Sequence, residues 1–444
     1  MRGLISMKKK SPVIVTILTG SLLLTACSSG NDTASSPQNT NSNTSTSSTK
    51  TASINVDYMA SGSYDKAAEE LAGKLKANGI NATVAAFPYA DLRQKNTNDL
   101  ISGTGNYDVM SGSYYLADVY SYFNSLKSYI DKDQYGTGLV DGLMQKSEFM
   151  DGEQIGIPYG ADAYGIMYRT DLFEEAGLTV PKTWEEFNSD IAILKSKYEK
   201  NGIAPYVFAG GATEQLPGPF MARYSGAFIG KDDKYHLDEA KAVSALKDTQ
   251  ATQQSGQKNM TSLSIDQANA LFIDGKVAVM EGWPSFIRVT ADDPTKSKIV
   301  GKWAVAPYPN TGTVWLSLWQ MYMPKTSKNK EAAWNWMKSY ASEENDKVYF
   351  EKYGISPIYK STYEDQDLVK KYSYYMTGVM ENLKMAKNPP LSGEAQDFMA
   401  STFGDVFSGK ITAEEGIANI NTKWATLPVP APLLESAKRN GQTE

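Results

Sequence analysis

Ile54-Asn55-Val56-Asp57-Tyr58-Met59-Ala60-Ser61-Gly62-Ser63-Tyr64 reads as a buried strand running into a small polar turn, and the chain repeats the device at Tyr107-Asp108-Val109-Met110-Ser111-Gly112-Ser113-Tyr114. Between the two lie a helical stretch over 67–76 stopped by Asn78-Gly79, an apolar strand over 82–87 and a second helix from about Asp91. Strands and helices alternating at this length form parallel β-α-β units with helices on both faces, so the chain opens as an α/β fold. In a strand order of 2-1-3 the first and third strands are neighbours, and ligands bind beyond their carboxyl ends. Ser61, Tyr64, Ser113 and Tyr114 are therefore candidate ligand contacts: glycine lets the backbone approach closely, and serine bonds hydroxyl groups.

Further along, 157–168 is strand-like and leads to Asp171 as a helix N-cap and Gly177 as its stop. Thr183-Trp184-Glu185-Glu186 has the spacing of a capping box, which makes Trp184 structural. An amphipathic stretch over 263–272 precedes a short strand at 275–280, with Glu281-Gly282-Trp283-Pro284 as the loop after it. A turn at 309–312 introduces a strand over 314–323. A helix over 331–340 carries Trp334 and Trp336, two positions apart, so one of them is expected to be half exposed. The remainder is mostly helical to Trp424 and is expected to fray through 428–432.

The amino-terminal segment has a different character. Lys8-Lys9-Lys10 precedes an apolar run over 12–24 that is shorter than the roughly 20 residues needed to span a bilayer, and Leu24-Thr25-Ala26-Cys27 ends it. This is the anatomy of an export signal, and the tetrapeptide resembles a lipobox, which makes Cys27 the expected lipidation site with cleavage before it. Residues 28–52, almost all Ser, Thr, Asn and small side chains, read as a tether with roughly 25 to 30 Å of reach. Ser28 after the cysteine favours a single-membrane bacterium, with the protein held on the outer face of the cytoplasmic membrane.

The net charge of −6 includes Arg2 and Lys8 to Lys10, so subtracting those four positive charges leaves −10 beyond the signal, which opposes binding to nucleic acid. With Cys27 the only cysteine and His236 the only histidine, the folded part lacks a disulfide, a thiol nucleophile and a histidine triad. No metal or cofactor is expected, and His236 lies in a polar, turn-like segment. Tyrosine numbers 27 and tryptophan 8, a supply suited to stacking on sugar faces.

Four segments together resemble the extracellular solute-binding proteins of bacterial ABC importers, in the carbohydrate-binding family related to maltose-binding protein. Asn106-Tyr107-Asp108-Val109-Met110 is similar to the family's "YDVV" strand, and Asp151 to Tyr159 with Met167 to Phe173 to its "DGKxYGIPY…LYYNKDLF" block. Phe272 to Met280 resembles "FxxGKVAMM", and Met323 to Trp334 resembles "IPKSSKNKEAAW". The segments occur in family order over 53–425.

The resemblance implies a two-lobed, type II periplasmic-binding-protein fold with three hinge crossings, near 158–163, 309–315 and 355–359, and a ligand cleft between the lobes. Residues 53–160 with 313–356 would form one lobe, and 161–312 with 357–444 the other. It implies Tyr159, Asp162, Glu281, Trp283, Trp315 and Trp319 as further candidate contacts for a neutral mono- or oligosaccharide or polyol, which a monomeric receptor delivers to the permease subunits. The family's "GPW" is here Gly282-Trp283-Pro284, and Ser113-Tyr114-Tyr115 stands where an aspartate is common. Two other readings stay open: a surface glycosidase using Asp162 and Glu281, and an adhesin-type lipoprotein.

Overall fold

A computed structural model describes residues 51–147, 149–211, 215–309 and 312–444. The signal segment, Cys27 and nearly all of the tether lie outside the described residues, as do Asn310 and Thr311 of the 309–312 turn. Strand β1 (Ala52–Met59) begins at the last residue assigned to the tether, because Ala52 already pairs with Ile80.

The opening β-α-β pattern is present: β1, α1 (Tyr64–Lys76), β2 (Ile80–Phe87), α2 (Tyr89–Ser102) and β3 (Met110–Gly112). β1 and β2 pair in parallel, Val56 opposite Val84, and a parallel bridge from Val56 to Val109 sets the β3 segment on β1's other side. The order is thus 2-1-3.

The run over 157–168 is two strands. β4 (Gly156–Ala163) and β5 (Gly165–Arg169) separate at Tyr164 and join different sheets. β4 runs antiparallel to β9 (Val314–Tyr322), which also pairs with β3 and with β10 (Ala386–Lys387). β5 belongs to a second sheet of order β8-β5-β7-β6, formed with β6 (Ala204–Val207), β7 (Val277–Gly282) and β8 (Trp303–Ala306), and helices α3 (Trp184–Tyr198), α4 (Glu239–Ser255), α5 (Ile265–Ile273) and α6 (Pro284–Ala291) run between its strands. The chain leaves the first sheet at Tyr164 and returns between Ala306 and Val314. After α7 (Lys330–Tyr340) and α8 (Glu343–Tyr353), it passes again through 354–359 to α9 (Gln366–Met385), which packs on β8.

Several local expectations change. The helix expected to be capped by Asp171 spans Thr170–Ala176 and has Arg169 at its N-cap, while Asp171 lies in the first turn and binds the Arg169 guanidinium at 2.6 and 2.7 Å. Gly177 does end it, at φ 67°. Glu281 sits inside β7, and Trp283 is the N-cap of the helix Pro284–Ala291 rather than a residue of an open loop. Trp334 and Trp336 are both buried, at 2% and 0% exposure, because two different partners cover α7. Trp336 faces the first sheet and donates to Tyr58 Oη at 2.9 Å, while Trp334 stacks on Tyr129 and donates to Asp133 at 2.7 Å. The carboxyl end does not fray after 428–432 but forms the helix Ala431–Arg439, with Leu433 and Ala437 buried. His236 is exposed, and Trp184 is buried with the Arg223 guanidinium 3.8 Å from its ring.

Candidate functional site

The turn after β1 carries Gly62 at φ 70° and Ser63 at φ 61°. A Cβ at Gly62 would lie 2.8 Å from the Tyr64 ring and 3.1 Å from the Phe286 ring, so the missing side chain is what lets this turn lie against the helix Pro284–Ala291. That contact joins the first sheet's carboxyl edge to the helix that follows β7 of the second sheet.

A cavity partly open to solvent lies at this seam. Met59 and Ser61 line it from the β1 turn, Tyr89 from the start of α2, and Ser113 and Tyr115 from the segment after β3. Trp315, Ser317 and Trp319 project from β9, and Gln215, Ile265, Trp283 and Phe286 close the other side. Successive odd positions of β9 share one face, which is why Trp315, Ser317 and Trp319 arrive together. None of the described lining residues is charged.

The aromatic walls form two groups. Trp283 packs edge-on to Trp315 at 5.3 Å and to Tyr164 at 5.0 Å, and its Nε1 donates to Gln215 Oε1 at 2.7 Å. Trp319 meets Tyr64 at 5.6 Å, Tyr89 at 6.3 Å and Tyr115 at 6.4 Å. Trp315 Nε1 and Tyr115 Oη are buried with no hydrogen-bond partner among the described residues. A buried donor left unmatched is costly, so both favour a ligand oxygen brought within reach.

Five of the sequence candidates thus come together at the cavity: Ser61, Ser113, Trp283, Trp315 and Trp319. The other five are held by neighbours away from its walls. Tyr64 packs beneath Trp319, Tyr159 exchanges a 2.6 Å bond with Ser111 Oγ, and Tyr114 Oη donates to Gln396 Oε1 at 2.7 Å. Asp162, 1% exposed, accepts from Ser285 Oγ and, at 3.2 Å, from Ser356 Oγ; burial pushes its pKa up to about 6 against those bonds. Glu281 accepts from Tyr206 Oη at 2.7 Å and Arg223 Nη1 at 3.2 Å, and burial raises its pKa despite the guanidinium. Arg223 also binds Asp248 at 3.0 Å, so this buried network sits on the second sheet rather than in the cavity.

Met59, Tyr89, Tyr115, Gln215, Ile265, Phe286 and Ser317 line the cavity without having been candidates in the sequence. Two of these had a signal. Phe286 is one helical turn from Trp283, and Ser317 lies between two candidate tryptophans on one strand face. Tyr115 replaces Tyr114 because the 3₁₀ turn over Tyr114–Tyr122 sends the first ring toward Gln396.

Comparison with known proteins agrees with this architecture. The bacterial extracellular solute-binding protein family model matches residues 60–347. A binding protein of Brucella abortus is 24% identical over 350 residues, 75% of this chain and 82% of the relative. The mannitol-binding protein of Pseudomonas aeruginosa is 27% identical over 290 residues, 60% of this chain and 63% of its own length. Among solved structures, an ABC transporter solute-binding protein of Agrobacterium radiobacter K84 in complex with ribitol superposes with a TM-score of 0.75 at 22% identity, covering 85% of this chain and 99% of that one. Maltose-bound MalE3 of T. maritima gives 0.73 at 21% identity, covering 84% and 98%. These two-lobed structures share this chain's fold, and with the family model covering most of the described sequence, the chain belongs to the bacterial extracellular solute-binding proteins.

Proposed function

We propose that the protein is the receptor of an ABC importer, capturing a neutral carbohydrate or polyol between its lobes and delivering it to the permease. The observation that carries this reading is the cavity itself: three tryptophans beside three serines and a glutamine, with no charge among the described lining residues. Flat rings cover the C–H faces of a sugar, while hydroxyls, amides and the unmatched donors on Trp315 and Tyr115 meet its oxygens. The ribitol of the Agrobacterium radiobacter complex, the mannitol for which the Pseudomonas aeruginosa protein is named and the maltose bound to MalE3 are of this chemical class.

The lobes divide as 53–160 with 313–356 and 161–312 with 357–444; the second and third boundaries lie near the passages between the sheets, and the first lies within β4, just before the chain leaves the first sheet at Tyr164. Ser61, Tyr115, Trp283, Trp315 and Trp319 make ligand contacts, and the receptor acts as a monomer without catalysis. Cys27 carries the lipid, and the tether lets the body reach the permease on the outer face of a single-membrane cell. No helix among the described residues is long and apolar enough to cross a membrane.

A thermal-shift screen of the purified protein against ribitol, mannitol, maltose and other neutral saccharides tests the binding, since a ligand specific for the native state raises its melting temperature. A concentration-dependent rise with the ligand recovered intact is expected. No shift across the panel, or conversion of the ligand, would sink the reading.

A further inference from the structure

We propose that Asp162 is the pin of the interlobe hinge: its buried carboxylate ties the first passage between the sheets to the third and to helix α6 (Pro284–Ala291), and so sets how freely the lobes turn. The consequence for ligand capture rests on the receptor reading above; the pin itself is a matter of geometry. Asp162 lies near the end of β4, two residues before the chain leaves the first sheet at Tyr164, opposite Ser317 of β9. Its Oδ2 accepts from Ser285 in the first turn of α6, and its Oδ1 accepts from Ser356, in the middle of the third passage, at 3.2 Å. Ser356 Oγ is also 3.1 Å from Tyr375 Oη on α9, and its carbonyl accepts from Ala161 N at 3.5 Å. One carboxylate therefore gathers three segments that must shift relative to one another when the lobes rotate.

A carboxylate is a costly way to join packed segments unless its oxygens are well bonded, and a change that removes one donor leaves part of that cost standing. The third passage has a second such anchor. Asp346 on α8 accepts from Ile358 N at 2.8 Å, from Tyr359 N at 3.3 Å and from Thr362 Oγ1 at 2.6 Å. Ser356 and Ile358 thus hang from carboxylates on different elements, and Asp162 is the one that reaches the second side through Ser285.

The geometry also couples the hinge to protons. The titratable groups facing Asp162 are Tyr64 from α1, Tyr363 from the helix Lys360–Glu364 and Tyr375 from α9; burial raises all three phenols further above neutrality. Arg288 of α6 lies 5.9 Å from the Tyr375 ring and donates to Phe350 O, and Asp292 acts on the same tyrosine. Around Asp346 the facing groups are Glu343, Tyr135, Tyr359 and Tyr363. Burial places the pKa of Asp162 at about 6 and that of Asp346 at about 7. Any conformation that admits water to Asp162 returns it toward 3.8, so raising the pH favours that conformation, by up to about a hundredfold if hydration is complete.

Hydrogen exchange read by mass spectrometry on the purified, ligand-free protein tests this, with rates corrected for the intrinsic effect of pH. Ser285→Ala should speed exchange of peptides covering 354–360 by roughly threefold to tenfold, the factor of one net hydrogen bond, while peptides covering 52–59 stay unchanged. In the unsubstituted protein exchange at 354–360 should rise between pH 5.5 and 7.5, and Asp162→Asn should reduce that rise while Asp346→Asn leaves part of it. Unchanged exchange at 354–360 in Ser285→Ala, an equal acceleration at 52–59, or the same pH response in Asp162→Asn would each overturn the pin. None of these readouts requires a ligand, so the proposal stands or falls separately from the choice of solute.

Discussion

Individual side chains divide the aromatic supply into different tasks. Trp283 has its N–H bound to Gln215 and its ring edge-on to Trp315, so it offers the cavity a surface rather than a donor. Trp283→Ala is expected to weaken solute binding by roughly tenfold or more, the loss of a central stacking anchor. The N–H of Trp315 has no partner among the described residues. Trp315→Phe keeps most of the ring area and removes that donor, and calorimetric titration should show a loss of about 1 kcal/mol; an unchanged affinity would assign Trp315 to packing alone. Glu281 is a different case, because its role is met entirely within the second-sheet network. Glu281→Gln leaves Arg223 buried with a weaker partner and should lower the unfolding free energy by about 3 kcal/mol, read by urea denaturation.

At the scale of elements, α7 shows how tertiary covering overrides a sequence pattern. Two tryptophans two positions apart point in different directions, yet both are buried because the first sheet covers one and the segment Lys127–Asp133 covers the other. Trp336→Ala is expected to cost about 3 to 5 kcal/mol, and Trp334→Ala well above 1 kcal/mol, both measured by chemical denaturation. A half-exposed Trp334 would instead give a change within about 0.5 kcal/mol. The same reasoning applies to β4 and β5. Their sequence is one strand-like run, but Tyr164 divides it between two sheets, and that division is what creates the first passage.

For the molecule as a whole, buried acid gathers on the elements that hold the passages between the sheets. Asp162 and Asp346 are protonated more readily in the folded chain than in the unfolded one, whose carboxylates titrate near 3.8. Between pH 4 and 7 the folded state therefore binds more protons, and the contribution of these two groups to stability falls as the pH rises through about 6 and then 7. Melting curves across that range should show it, and Asp346→Asn should flatten the upper part. A slope of opposite sign from the Asp346→Asn difference would contradict the burial argument.

Local rules follow from the residues and their spacing alone: parallel β-α-β order from alternating apolar runs, the stop at Gly177 from its left-handed backbone, and the meeting of Trp315 with Trp319 from the two-residue period of a strand. They also bring Ser61 and Ser113 to one edge, because a 2-1-3 order makes their strands neighbours. Tertiary structure decided what depends on neighbours distant in the chain. Tyr114 turned to Gln396, 282 positions away, and left its place at the cavity to Tyr115. Asp162 and Glu281, similar as acidic candidates in a sequence, were drawn to Ser285 and Ser356 in one case and Arg223 in the other. A carboxylate follows the donors that make its burial tolerable, and those donors are set by packing, which no spacing along the chain specifies.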